Sequence, residues 1–265
     1  MYKLIVTDVD GTLLNKESNL PSLNKKALFA CKDKGIGVVL ATGKTIDAIY
    51  PVVRDLDLKL PQITLSGAAT LNKDLKVISS IKFNPEYYLD LVKDVKRKGY
   101  TPITCILDGK IFYEKYHPNM EHIREVGEKL IKVDSIETKY FQKNTANINV
   151  PIPETDPLDS YLRSRYSDIL QIVRSGKYFF DILNKNATKG NALLNILELL
   201  GIKKQEVVVF GDSYNDLSLF EVGGLKIAVK NSYPEVLDVA DIITSENYNA
   251  GLGKAIYKYV LKEKM

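Results

Sequence analysis

The sequence predicts an α/β fold: a parallel sheet buried between helices and interrupted by an inserted α+β domain. Three observations carry this. Short, nearly continuous apolar runs alternate with helix-like segments at both ends of the chain. The rhythm changes after Ile81 and returns near Thr188. Small polar or acidic residues follow the runs. Apolar runs of strand length separated by helices mark βαβ units, whose strands are covered on both faces.

The first runs are KLIVTD, GIGVVLAT and PQITLSGA, each rich in Val, Ile or Leu, and each predicts a parallel strand. Between the first two lies PSLNKKALFACKDKG, where Leu23, Ala27, Leu28 and Cys31 recur at helical spacing and Gly35 supplies the stop. KFNPEYYLDLVKDVKRKG predicts a helix entered through Pro85, and ITCILDGKIFYEK two strands around an Asp108-Gly109 turn. NTANINV and QIVRSGKYFFDIL predict further strands, KYFFDIL following a Ser175-Gly176 turn. The first rhythm then resumes. TKGNALLNILELLG puts Leu193, Ile196, Leu197 and Leu200 on one helix face, with Thr188 as N-cap and Gly201 as stop. VVVFGD, LKIAV and DIIT predict three more strands. On this reading residues 1–82 and 186–265 form one unit and residues 83–185 the insert.

A length of 265 residues holds one large domain or two modest ones, and 45% hydrophobic with 26% charged content is ordinary for a soluble chain. Thirty-seven basic against 33 acidic residues leave a net charge of +4 without a block of like charge. That mildly favours anionic ligands and falls short of a nucleic-acid signature. Cys31 and Cys105 lie far apart among apolar neighbours, so a reducing compartment is expected rather than a disulfide framework. A strand directly after Met1 and the absence of any membrane-length apolar run complete the expectation. It is a cytoplasmic protein with neither nucleic-acid nor membrane partners, monomeric or a small homo-oligomer.

Polar residues gather where the parallel strands end: Asp8 and Asp10, Thr42 and Gly43, Ser66 and Gly67, then Asp212 and Asp216. Ligands of open α/β sheets bind at the carboxyl ends of the strands, so these segments should converge, with Lys189 in the first turn of its helix pointing to the same edge. Asp8 and Asp10 face one side of extended chain, and at ~4 Å two carboxylates repel by roughly 4 kcal/mol at an effective dielectric of about 20. Asp212 and Asp216 add two more anions, and such a cluster needs a cation. The nearby ligands are all oxygen, and the two histidines, His117 and His122, lie in the insert. Mg²⁺ fits this set and zinc does not. Mg²⁺, Lys189, the Thr42 hydroxyl and backbone N–H groups around a carboxylate nucleophile describe a phosphoryl-transfer site.

DVDGTL, ATGKT, the Lys-Gly of TKGNAL and GDSYND, in that order, resemble the four motifs of the haloacid dehalogenase superfamily. The tail VVVFGDSYNDLSLFEVGGLKIAVKNSYPEVLDVADIIT, with an insert between the second and third motifs, resembles the Cof-type branch with a type IIB cap. The resemblance implies a Rossmann-like core and an α+β cap. It implies that Asp8 attacks phosphorus to form an aspartyl-phosphate and that Asp10 is the general acid and base. It further implies that Asp8, the Asp10 carbonyl and Asp212 hold Mg²⁺ with Asp216 in support. Thr42, Gly43, Lys189 and Asn215 would hold phosphate oxygens. Lys44 stands where Arg is common and Ser66 where Asn is common. Both are expected near the mouth facing the cap, and they, Gly67, and Arg174 and Asp181 from the cap are candidate substrate contacts.

Each motif also has a plainer reading. D-x-D serves as a turn, Lys189 as a solvated first-turn lysine, Thr42 as a strand-end hydroxyl and Asp181 as a structural carboxylate. His117 and His122 read as surface residues, and Tyr87, Tyr88, Tyr113 and Tyr116 as cap core. GVVLATGKT approaches the phosphate-binding G-x-x-x-x-G-K-[ST] pattern, but Val38 occupies the place of its first Gly. The motifs together predict a Mg²⁺-dependent phosphatase of small phosphorylated metabolites, such as sugar phosphates. A sugar phosphomutase or phosphotransferase with the same aspartyl-phosphate is the alternative, and a phospho-accepting signalling module is one from another class.

Overall fold

The computed structural model describes residues 1–153, 155–174 and 179–263. The first part of the chain supplies β1 (Leu4–Thr7), β2 (Gly37–Leu40), β3 (Gln62–Thr64), β4 (Ala69–Leu71) and β5 (Val77–Ser80). The insert supplies β6 (Ile103–Ile106), β7 (Ile111–Tyr113), β8 (Leu130–Lys132), β9 (Thr145–Val150), β10 (Leu170–Arg174) and β11 (Phe180–Asn184). The last part supplies β12 (Val207–Gly211), β13 (Leu225–Val229) and β14 (Ile242–Thr244).

One parallel sheet runs in the order β14-β13-β12-β1-β2. Its strands β1, β2 and β12 are almost wholly apolar because both faces are covered, whereas the edge strand β14 leaves Ile243 exposed. Leu4, Val6, Val207 and Val209 meet Leu193, Ile196 and Leu197 of the helix Lys189–Leu200. Ile5, Val208 and Phe210 meet Ala27, Leu28 and Cys31 of the helix Ser22–Asp33. Burying each such side chain stabilises the fold by about 1.5–3 kcal/mol. Leu23, expected on the buried face of Ser22–Asp33, is only half-buried, and Asn24 takes an interior place. Its amide is satisfied there: Nδ2 donates to Leu13 O and Oδ1 accepts from Gly253 N–H, both at 2.8 Å.

The third expected parallel strand is cut short. Ile63 of β3 makes a parallel bridge to Ala41. Leu65 (φ 51°) and Ser66 (φ 53°) then enter the left-handed region and turn the chain back. β3, β4 and β5 therefore form a separate antiparallel sheet.

In the insert, the helix Pro85–Arg97 begins with Pro in its first turn, as the sequence predicts. Six strands follow the order β10-β11-β9-β6-β7-β8, antiparallel except for the parallel β7–β8 pair. NTANINV is not all strand, since Asn144 ends the helix Lys139–Asn144 and β9 starts at Thr145. The Ser175-Gly176 turn lies outside the described residues. One sheet face packs on Tyr88, Leu91, Val92, Leu158 and Leu162 of the insert's helices. Ile103, Cys105, Ile111 and Leu183 on the other gather with Leu65, Ala68 and Ala69 of the core, which sets this face over the carboxyl edge of the parallel sheet. Among the described residues no helix is long and apolar enough to cross a membrane.

Candidate active site

At the end of β1, Asp8 N–H still donates to Phe210 O, at 3.0 Å, so the first aspartate is fixed by the sheet ladder. The chain then bends through Val9–Leu13. Gly11 has φ +80°, and a Cβ there would lie 2.4 Å from Asp212 Oδ2, so only glycine lets this loop pass beside the second acidic motif. Thr12 Oγ1 donates to Asp212 Oδ1 at 2.6 Å. Asp216 is fully buried, and its Oδ2 accepts the N–H groups of Asp212 and Ser213, each at 3.0 Å. The carboxylate thereby shapes the turn that presents Asp212.

Lys189 opens its helix behind Thr188, whose Oγ1 accepts the Asn191 N–H at 2.9 Å. A cation near a helix N-terminus is unfavourable. Two buried carboxylates offset this, since Lys189 Nζ donates to Asp8 Oδ1 and to Asp216 Oδ1, both at 2.7 Å. Burial would lower the ammonium's pKa, but the negative charges of Asp216 and Asp8 outweigh it and the net shift is upward. Burial also raises Asp8. Lys189 opposes and Asp216 and Asp10 reinforce the rise, which brings the carboxyl to about 7. Asp212 is pushed well above the usual carboxylate range by burial and by Asp8 and Asp216, against the Thr12 hydroxyl.

One ammonium thus faces three carboxylates. Asp8, Asp212 and Asp216 each offer an oxygen, all within 4.8 Å of one another. Hard oxygen donors with surplus negative charge fit a divalent cation such as Mg²⁺ or Ca²⁺ and not a soft metal.

At the end of β2, Thr42 N–H donates to Ile63 O at 3.0 Å, and Thr42 Oγ1 accepts Lys44 N–H at 3.1 Å. Lys44 Nζ lies 3.2 Å from Asp10 Oδ1. Asn215 Nδ2 donates to Ser66 Oγ, and Ser66 Oγ donates to Asp181 Oδ2, both at 3.5 Å. Asn149 of β9 also donates to Asp181. The Asn215 Oδ1 is buried with no hydrogen-bond partner among the described residues.

These groups surround a cavity of about 620 Å³ between core and insert. Asp8, Asp10, Asp212, Thr42, Gly43, Lys44, Asn215 and Asp181 are among its walls. Lys189 and Asp216 are buried against the walls rather than part of them. Ser66 and Gly67 are set back as well. A Cβ on Gly67 (φ +97°) would lie 2.2 Å from Thr188 O, so this glycine admits the helix that carries Lys189. Arg174 is not in the cavity wall. It donates to Ile152 O at 3.1 Å and Pro153 O at 2.6 Å, with its guanidinium over the Phe180 ring. Sequence reasoning missed Thr12, Asn149 and Glu128; His122 is exposed, as the sequence predicts, at the rim of the cavity. Thr12 stands inside DVDGTL and could have been singled out there, whereas nothing local marks the others.

Residues 5–256 match the family of haloacid dehalogenase-like hydrolases. YxeH of Bacillus subtilis (strain 168) is 32% identical over 279 residues, spanning 98% of this chain and 99% of that protein. The 5-amino-6-(5-phospho-D-ribitylamino)uracil phosphatase YcsE of the same organism is 27% identical over 260 residues, 98% of this chain and 96% of that one. A haloacid dehalogenase-like hydrolase from Bacteroides thetaiotaomicron shares the fold with a TM-score of 0.84 at 25% identity, covering 97% of this chain and 99% of that one. Four sequence motifs, their convergence on one buried acidic cluster, and a family match over nearly the whole length lead to one identification: the chain belongs to the haloacid dehalogenase-like hydrolases, as a Cof-type phosphatase.

Proposed function

We propose that the chain is a cytoplasmic, Mg²⁺-dependent phosphatase that hydrolyses small phosphomonoesters, sugar phosphates or similar metabolites, through an aspartyl-phosphate on Asp8. The observation that carries this is the placement of Asp8. One carboxylate oxygen is held by Lys189 at 2.7 Å, and Asp212 offers an oxygen close enough to share a cation. Residues 1–82 and 186–265 form the catalytic unit in this reading, and residues 83–185 the cap that covers the substrate.

Asp8, the Asp10 carbonyl and Asp212, with Asp216 in support, would hold Mg²⁺, which when bound neutralises the surplus negative charge and admits a phosphate dianion. The carboxylate of Asp8 attacks phosphorus. An Asp8 O–P bond forms as the ester P–O bond breaks, and Asp10 passes its proton to the departing alcohol oxygen. A water then attacks phosphorus and gives its proton to Asp10, and the Asp8 O–P bond breaks, restoring both aspartates. Lys189, Thr42, the Gly43 N–H and Asn215 hold the phosphate oxygens and oppose the charge that develops on them. Two observations support a small substrate. The cavity of about 620 Å³ is of small-molecule size, and the relative YcsE is named for a phosphate on a ribityl chain.

The test is phosphate release from p-nitrophenyl phosphate, with Mg²⁺ and with the metal chelated, followed by a panel of phosphorylated metabolites ranked by kcat/KM. Asp8→Asn should lower kcat by about a thousandfold or more, the scale of losing a covalent nucleophile. Undiminished turnover by Asp8→Asn, or by the wild type without divalent ions, would refute the proposal.

A further inference from the structure

The core helix Ile46–Asp55 begins two residues after Lys44 and lacks a side-chain cap of its own. The hydroxyl of Thr45, at its N-cap, is buried and accepts no amide of its own helix. The acceptor at this helix start comes instead from the insert. Glu128, on the loop after the helix Glu121–Glu125, takes the Thr45 N–H on Oε1 at 2.8 Å.

The β6–β7 turn rests on the same spot. Gly109 has φ +86°, and a Cβ there would lie 3.2 Å from Thr45 Cβ and 3.4 Å from Ile46 N. Lys129 adds an exposed ion pair to Asp47 of the helix's first turn, at 3.4 Å. Glu128 also borders the substrate cavity beside Lys44. Burial raises its carboxyl, opposed by the Thr45 N–H and the charge of Lys44. Lys44 in turn touches Asp10. A continuous line of contacts therefore joins the insert, the core helix and the proposed acid-base group.

We propose that Glu128 is a positioning residue: by capping the core helix from the insert, it holds the insert closed over the cavity and keeps Lys44 against Asp10. Donor and acceptor belong to different units, so any opening that separates them must break this bond. Its kinetic consequence rests on the phosphatase reading above, but the contact itself does not.

Two measurements on the full chain test it. Without substrate, amide hydrogen exchange at Thr45 should quicken about tenfold in Glu128→Ala, because the amide loses its acceptor and the closed state its tie. Glu128→Gln retains an acceptor oxygen and should stay near the wild type. With p-nitrophenyl phosphate and Mg²⁺, Glu128→Ala should raise KM about fivefold with a smaller fall in kcat, since only the closed fraction binds productively. Glu128→Gln should recover most of that loss. Unchanged exchange at Thr45 in Glu128→Ala overturns the proposal. So does a fall in kcat at constant KM that tracks lost thermal stability, the mark of a merely structural residue. If the wild type turns over no phosphate ester, the phosphatase reading fails and the exchange measurement alone decides the contact.

Discussion

Lys189 answers Asp8 and Asp216 from the interior, with no exposure of its side chain. Breaking a buried ion pair from one side costs more than the pair is worth, because the abandoned charges stay desolvated. Lys189→Met should therefore lower metal-free stability by about 3–5 kcal/mol in urea unfolding. A loss under 1 kcal/mol would mean that the carboxylates are solvated or protonated without it. At this scale the site was largely legible, because DVDGTL and GDSYND each compress several constraints into a few positions. Asp8 and Asp212 must meet, Gly11 must yield to Asp212, and Thr12 must reach it. Glu128 was not legible. A glutamate in VGEKL has the same local signature as any solvated acid, and only the docking of the insert gives it a partner.

The helix Lys189–Leu200 shows how an element delivers a residue. Thr188 caps it, Gly201 ends it at φ 64° in the left-handed conformation, and Gly190 lets it press on Ser218. Thr188→Ala removes one N-terminal acceptor and should cost about 1 kcal/mol. Because Lys189 is the next residue, activity on an aryl phosphate should fall further than that loss of global stability accounts for. Equal effects would detach the cap from the site. The elements of the parallel sheet were readable because burial on both faces makes β1, β2 and β12 nearly continuous apolar runs. The third was overcalled, since the left-handed turn at Leu65 and Ser66 has no compositional signal when neither residue is glycine or asparagine.

For the molecule as a whole, the acidic cluster links stability to protons and, on the proposed metal-dependent reading, to a divalent cation. Asp8 has an ordinary value of 3.8 and a metal-free folded value of about 7. Between these values the folded chain holds a proton that the unfolded chain has released. This contribution to stability is present in full below 3.8 and is lost as pH rises through 7. A divalent cation competes with that proton. The rise in Tm on adding Mg²⁺ should therefore be larger at about pH 8 than at about pH 5 in thermal unfolding. A shift independent of pH would contradict the coupling. The arrangement of β1 has a consequence for synthesis. One neighbour, β2, follows soon after it, but the other pairs Leu4 with Val207 and is translated only after the entire insert. On the ribosome the strand bearing Asp8 waits with one edge open, and a polypeptide stalled before Asp212 carries no assembled acidic centre. Premature termination thus yields fragments without the proposed metal-binding centre, whatever else of them has folded.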